Sequence, residues 1–210
     1  MDTDDGIQLD PKGYVGKGNG PLVFNHPSDP SILLKIPRDR KRLKLRSRIT
    51  ASLRPSKRRY GTYREWHREY EEYIAAVRKA GGLPQCLPQP RGFVQTNLGP
   101  AYAVEKVSDE NSTEMALTVE GYLKDYDAQD LRGVIDTFFE DIERYRIIFF
   151  DMKLYNLCVV RDASGKPIRI VGIDSIGEAT VLQVRKWSSK AYKHWLEKTR
   201  KNFLNAVYPE

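Results

Sequence analysis

Apolar and polar residues follow two different periods along this chain, and the change from one period to the other outlines its elements. Short apolar runs bounded by Gly, Pro, Asn or Asp fall at 22–24, 32–36, 92–95, 101–107, 157–160 and 168–173. Runs of this length between turn residues read as strands. Over 63–80 the period lengthens. Tyr63, Trp66, Tyr70, Tyr73, Ile74 and Val77 recur at threes and fours and Gly81-Gly82 follows, so a helix with one apolar face, stopped by glycine, is expected. On that helix Glu69 flanks the stripe, whereas Glu65 and Glu72 turn toward solvent. A second helix is expected over 130–146, with a stripe of Leu131, Val134, Ile135, Phe138, Ile142 and Tyr145. A shorter helix over 114–124 precedes it. One or two more span 182–208, with Val184, Trp187, Ala191, Trp195 and Phe203 facing inward.

Strands crowd the first half and helices the second, which makes the chain α+β. Its 210 residues suffice for one domain or for two small lobes around a cleft. The polar stretch 109–112 marks the expected boundary, giving lobes 1–107 and 108–210. The net charge of +7 is uneven: segment 38–59 holds eleven Lys or Arg against the single acid Asp39, so the rest of the chain is slightly acidic. A basic insertion of this density suits an acidic partner or surface. The segment lacks interleaved aromatic residues, which weakens a nucleic-acid role. Two cysteines, Cys86 and Cys158, give neither a disulfide framework nor a metal cluster. No apolar run approaches membrane-spanning length and the acidic start is no ordinary export signal, so a cytoplasmic setting is expected, with signal-less secretion as an effector left open.

The chemistry concentrates between 147 and 174. Asp151, Lys153 and Asn156 fall in the spacing D-x-K-x-x-N, Asn156 opens the run 157–160, and the run 168–173 ends directly on Asp174. Between the runs, Asp162-Ala163-Ser164-Gly165-Lys166-Pro167 is a turn composition. A loop followed by a hairpin would return Asp174 beside Asn156. Two acids and an amide delivered this way suit Mg²⁺ on phosphates, with a carboxylate waiting for a hydroxyl proton. That chemistry needs two further parts upstream. Gly16-Lys17-Gly18-Asn19-Gly20-Pro21-Leu22-Val23 is a glycine turn expected to join two strands, and its glycines let backbone N–H groups approach phosphates. Pro21, standing where a third Gly is usual, removes one donor. Lys35, flanked by Leu33, Leu34 and Ile36, would reach the phosphates, steadied by Glu69, with Glu71 as the alternative partner. In a two-lobed kinase, which this order of parts is similar to, the strand 101–107 would lead into the hinge, whose backbone would meet adenine.

Taken with Leu34-Lys35-Ile36, Arg68-Glu69, Lys153 to Leu157, Asp174-x-Ile176-Gly177-Glu178-x-Thr180 and Lys186-Trp187-Ser188, the chain resembles the YrbL family of PhoP regulatory network proteins, compact relatives of protein kinases. The likeness covers roughly Gly16 to Trp187. It implies a two-lobed, protein-kinase-like fold with a truncated C-terminal lobe. Two departures from ordinary kinases stand out. Phe149-Phe150 occupies the place of His-Arg before the catalytic Asp, and Asp174-Ser175-Ile176 replaces Asp-Phe-Gly, with Gly177 one place late.

The expected activity is therefore ATP-dependent, Mg²⁺-assisted phosphotransfer to a hydroxyl, as in a minimal atypical Ser/Thr protein kinase. A small-molecule kinase and a catalytically silent regulatory protein are the alternatives. Asp151, Lys153 and Lys35 are the expected catalytic residues. Gly16, Gly18, Gly20, Val23, Lys35, Glu69, Glu105 and Val107 would bind nucleotide, and Asn156 and Asp174 the metal. A protein substrate or acidic partner is preferred over a small-molecule acceptor, and nucleic acid is the least favoured partner.

Overall fold

The computed structural model describes residues 6–16, 20–38, 59–179 and 183–209. Gly18 and residues 39–58 of the basic segment lie outside them, as do the expectations placed there. The fold is mixed α+β and divides into two compact units. One comprises Met1–His67 and Gln89–Lys106, the other Arg68–Pro88 and Val107–Glu210. The chain enters the second unit for good at Val107. The excursion 68–88 also belongs to that unit, because Tyr73, Ala76, Cys86 and Leu87 are buried in its core.

The first unit is built on a four-stranded antiparallel sheet in the order β1-β2-β4-β3. The strands are β1 (Leu22–Asn25), β2 (Ile32–Ile36), β3 (Pro90–Thr96) and β4 (Gly99–Glu105). Alternation along β2 and β4 sorts the side chains onto two faces. Leu34, Ile36, Ala101 and Ala103 join Phe24 and Leu9 on one, while Leu33, Tyr102 and Val104 meet Trp66 on the other. Trp66, Phe93 and Tyr102 form an aromatic cluster with ring centroids 5.3–6.2 Å apart. The strand expected before the glycine turn is not formed among the described residues. Val15 instead donates a single backbone hydrogen bond to the Val23 carbonyl, at 2.7 Å. The outer edge of β3 receives Ile7, whose N–H donates to the Gln95 carbonyl.

Helix α1 (Arg64–Ala80) gives its first turn to this unit and the remainder to the second. The second unit continues with α2 (Val119–Asp125), α3 (Arg132–Tyr145), the hairpin β5 (Leu157–Arg161) and β6 (Pro167–Gly172), α4 (Val184–Trp187) and α5 (Ser189–Val207). Its core joins Leu131, Ile135, Phe138, Phe139 and Ile142 to Ile147, Phe149, Leu157, Val159 and Ile170, and to Tyr192, Leu196 and Phe203. The expected helix over 114–124 starts late, at Val119. Thr118 caps it through a side chain accepting from the Gly121 N–H, and residues 115 and 118 are instead held in isolated bridges to Ser108 and Cys158. The inward stripe expected over 182–208 is also corrected. Trp187 is 75% exposed and Val184 45% exposed, while Tyr192, Leu196, Phe203 and Val207 are buried. Both exposed residues lie on the short α4, before Ser188 caps α5 and resets the helical phase.

One contact in this core has little room to give. A methyl group at Gly172 would lie 2.3 Å from the buried Phe149 ring, so the strand passes directly against that aromatic face. Gly172→Ala is expected to lower stability by about 1–3 kcal/mol, as overpacking does, read from the urea midpoint. Pairing it with Phe149→Leu should recover part of the loss, and strict additivity of the two changes would deny the contact its role.

Candidate functional site in the second unit

Helix α3 ends at Arg146, which takes a left-handed conformation with φ 52° and donates its N–H to Glu143. The Tyr192 hydroxyl donates at 2.6 Å to the Ile142 carbonyl, which also accepts the Ile147 N–H at 3.0 Å, so the helix end is tied to α5. Segment 147–150 then runs beside the residues that follow β6. Gly177 donates to the Ile148 carbonyl at 2.7 Å, Phe150 donates to the Ser175 carbonyl at 2.9 Å, and Phe149 bridges Ile176. The two halves of the expected ribbon are thereby held edge to edge. The hairpin turn is closed by Asp162, which accepts from the backbone N–H groups of Ser164 and Lys166 and from the Ser164 hydroxyl.

Asn156 sits at the centre, only 5% exposed. Its side-chain nitrogen donates to the Asp151 carbonyl at 3.0 Å and to the Ser175 hydroxyl oxygen at 3.2 Å. Both amide protons are committed, which leaves Oδ1 as the ligating atom. Asp174 is exposed, with Oδ1 accepting from the Ser175 N–H at 2.6 Å. Ser175 adopts φ 61°, a left-handed conformation that is costly for a residue with a Cβ. Asp151 is half-buried and its carboxylate meets Lys153 Nζ at 3.6 Å. Tyr155 first, and Asp151 second, hold the Lys153 ammonium above its ordinary range, so it is charged at neutral pH.

Asn156 and Asp174 carry hard oxygen donors, and Ser175, which Asn156 contacts, directly follows Asp174. Among the described residues no group of three or more His, Cys, Asp or Glu could hold a metal ion by itself. Their oxygens are of the kind Mg²⁺ takes, since it is bound through one or two carboxylates while phosphates and water complete its shell.

The other expected site residues are distributed over both units. Lys35 is buried at 8% on the Trp66 face of β2, paired with Val23 on one side and Tyr102 on the other. Glu105 closes β4, its carboxylate accepting from the Gln89 N–H at 2.9 Å. A Cβ at Gly16 would meet Val23 at 3.5 Å, an ordinary contact, so packing alone does not demand glycine there. Gly20 is half-buried in a bend. Glu69 lies half-buried on the part of α1 that belongs to the second unit. Val107 is buried among Ala116, Cys158, Val160 and Val171, and its carbonyl accepts from the Ala116 N–H.

The sequence reading missed three supports. Glu72, expected at the surface, is 4% exposed and accepts from the Ile148 N–H at 2.7 Å. Helical periodicity weighs a carboxylate as outward, but this buried backbone donor needs a partner and the helix supplies one. Glu178 is buried in a two-point ion pair with Arg185, whose guanidinium stacks 5.2 Å over Trp195. Gly177, with φ 89°, stands where a Cβ would press on the Arg68 carbonyl at 3.0 Å, which gives the Ile-Gly-Glu block a structural reason. The clustering of Glu178 and Arg185 around Asp174 in sequence was the available signal.

A mixed α+β protein with a loop-and-hairpin cluster of acid, amide and ammonium is the class these features define. The model of the family described as PhoP regulatory network protein YrbL matches residues 7–207, and the chain belongs to that family. Among curated proteins, none matches it. No helix of the described residues is long and apolar enough to cross a membrane.

Burial pushes the Glu72 carboxyl from 4.5 up to about 7, against the opposing pull of the Ile148 N–H and of Lys186 and Lys79, while Glu71 adds to the rise. A carboxyl raised in the folded state contributes stability that is complete below pH 4.5 and lost as pH rises through about 7. Glu72→Gln should remove that dependence, raising stability at pH 8 relative to wild type by up to about 3 kcal/mol. Urea titrations of both proteins at pH 5 and pH 8 measure it. An unchanged pH slope in the variant would assign the dependence to other groups.

Proposed function

We propose that this protein transfers the γ-phosphoryl group of ATP to a hydroxyl, by the kinase-like chemistry its sequence resembles. The observation that carries the reading is the Asn156 side chain, which ties the Asp151 backbone to Ser175, the residue that follows Asp174. That arrangement joins a hard-oxygen donor pair to a half-buried carboxylate with an ammonium next to it.

Asp151 takes up the acceptor's hydroxyl proton, its carboxylate held near Lys153. Lys153 offsets charge that develops on the transferred group. Asn156 and Asp174 would hold Mg²⁺, which when bound would supply charge neutralisation on the phosphates. Lys35 and the glycine turn with Gly16, Gly18, Gly20 and Val23 are assigned to the phosphates, Glu69 to steadying Lys35, and the backbone at Glu105 and Val107 to the base. Burial of Lys35 within a strand supports its assignment, because an ammonium is rarely placed there without a polar role.

Two substitutions separate binding from chemistry. Asp151→Asn should bind Mg²⁺–ATP nearly as wild type does, read as thermal stabilisation by the nucleotide, yet lose turnover by about 10²-fold or more. Asp174→Asn should lose both. Transfer of labelled γ-phosphate by Asp151→Asn at the wild-type rate would remove the carboxylate from the reaction. Absence of any stabilisation of wild type by millimolar Mg²⁺–ATP would remove the nucleotide reading altogether.

A further inference from the structure

The segment that carries Asp151 and Lys153 also forms one wall of a cleft beside the donor pair assigned to the metal. Residues 149–155 and helix α5 enclose about 420 Å³, with Glu120 of α2 at the rim. The cleft lies wholly within the second unit. Its lining is neither greasy nor uniformly charged. Tyr155 and Trp195 contribute rings, each with a cation over one face, Lys153 at 5.8 Å and Arg185 at 5.2 Å. Asn202 and Glu120 contribute hydrogen-bonding groups, and Asp151 and Lys153 stand together in the same wall. Lys153 offsets Asp151 at 3.6 Å, so Glu120 is the charge of the lining left unbalanced. A phosphorylated or carboxylated ligand would meet repulsion there, whereas a neutral or cationic one would not.

The volume lies within the range of small-molecule sites, where apolar rings and a few placed polar groups share the work. A ring compound carrying several hydroxyls matches that mixture, with its C–H face on an aromatic ring and its hydroxyl rim toward Asn202, Glu120 and Asp151. A peptide added as an extra strand finds no free edge on β5. One side of β5 pairs with β6, and the other is taken by the Thr118–Cys158 bridge and by Val159 donating to the Leu117 carbonyl.

We propose that this cleft is the acceptor subsite, and that it takes a compact polyhydroxylated ring compound of the saccharide class, neutral or cationic. The reaction assigned to it rests on the phosphotransfer reading, but the binding does not. In the step, one acceptor hydroxyl oxygen forms a bond to the γ-phosphorus, and the bond from that phosphorus to the bridging oxygen breaks. The hydroxyl proton passes to Asp151, and ADP leaves with the electron pair.

The test begins without nucleotide. Saturation-transfer NMR on the full chain is run with a panel of neutral mono- and disaccharides, the cationic amino sugars glucosamine and galactosamine, and glucose 6-phosphate as the anionic control. Wild type should bind neutral or amino sugars and reject the phosphate. Tyr155→Ala, at a residue 48% exposed and so tolerant of truncation, should weaken sugar binding at least tenfold with an unchanged melting temperature. Glu120→Lys should reverse the preference between glucosamine and glucose 6-phosphate. No binding across the panel, or binding indifferent to both substitutions, overturns the subsite. Labelled γ-phosphate is then offered with the bound sugars and, separately, with a mixture of unfolded proteins. Transfer to protein in the absence of sugar binding overturns the cleft proposal and upholds phosphotransfer. Sugar binding without any transfer or Mg²⁺–ATP binding upholds the cleft as a binding site and overturns phosphotransfer.

Discussion

The candidate site depends on a single buried amide. Asn156 spends one N–H on the Asp151 carbonyl and the other on the Ser175 hydroxyl, so the loop before β5 and the turn after β6 are fastened through one side chain. A buried amide that lost either partner would carry the desolvation cost of an unmade hydrogen bond, about 1–3 kcal/mol. That cost keeps the group from rotating. Because the nitrogen is fixed inward, the oxygen is fixed as well, and the side chain acquires a direction that an exposed asparagine would not have.

Packing beneath the amide keeps the frame stiff. Phe149 lies against the backbone of Gly172, and the chain following Asp174 is pinned by Glu178 to Arg185 and by Lys186 to Glu71. Gly177 permits the close approach to Arg68, whose guanidinium lies 4.7 Å over the Phe150 ring. Phe149-Phe150 precedes Asp151 in this frame. Here one phenyl ring fills the core and the next receives an arginine from helix α1, so the position serves support.

Much of this could be read from the residues. The hairpin was legible because its turn composition is explicit and its two strands are short, uniform apolar runs. The α3 stripe was legible because Leu131, Ile135, Phe138 and Ile142 all face one way and are all buried. The errors share a cause. Periodicity ranks side chains by polarity alone, so it turned Glu72 outward and Trp187 inward. A backbone N–H at Ile148 decided the first, and a break between two helices at Ser188 decided the second. Neither a distant donor nor a change of helical phase is written in local hydropathy. The strand expected before the glycine turn failed for a related reason: a few apolar residues can pair by one hydrogen bond without extending into a ladder.

The short turn at Asp162–Lys166 has a consequence for how such a site comes into being. Every polar group at its centre lies between Asp151 and Ser175, and the ends of that stretch are brought together by closing one hairpin. Loop closure over so short a contour costs little chain entropy, and contacts of low sequence separation form quickly. The amide, the two acids and the ammonium can therefore find one another before β2 pairs with β4 across the much longer connection between them. Assembly of the centre is in this sense a local event, and later folding has only to shelter it.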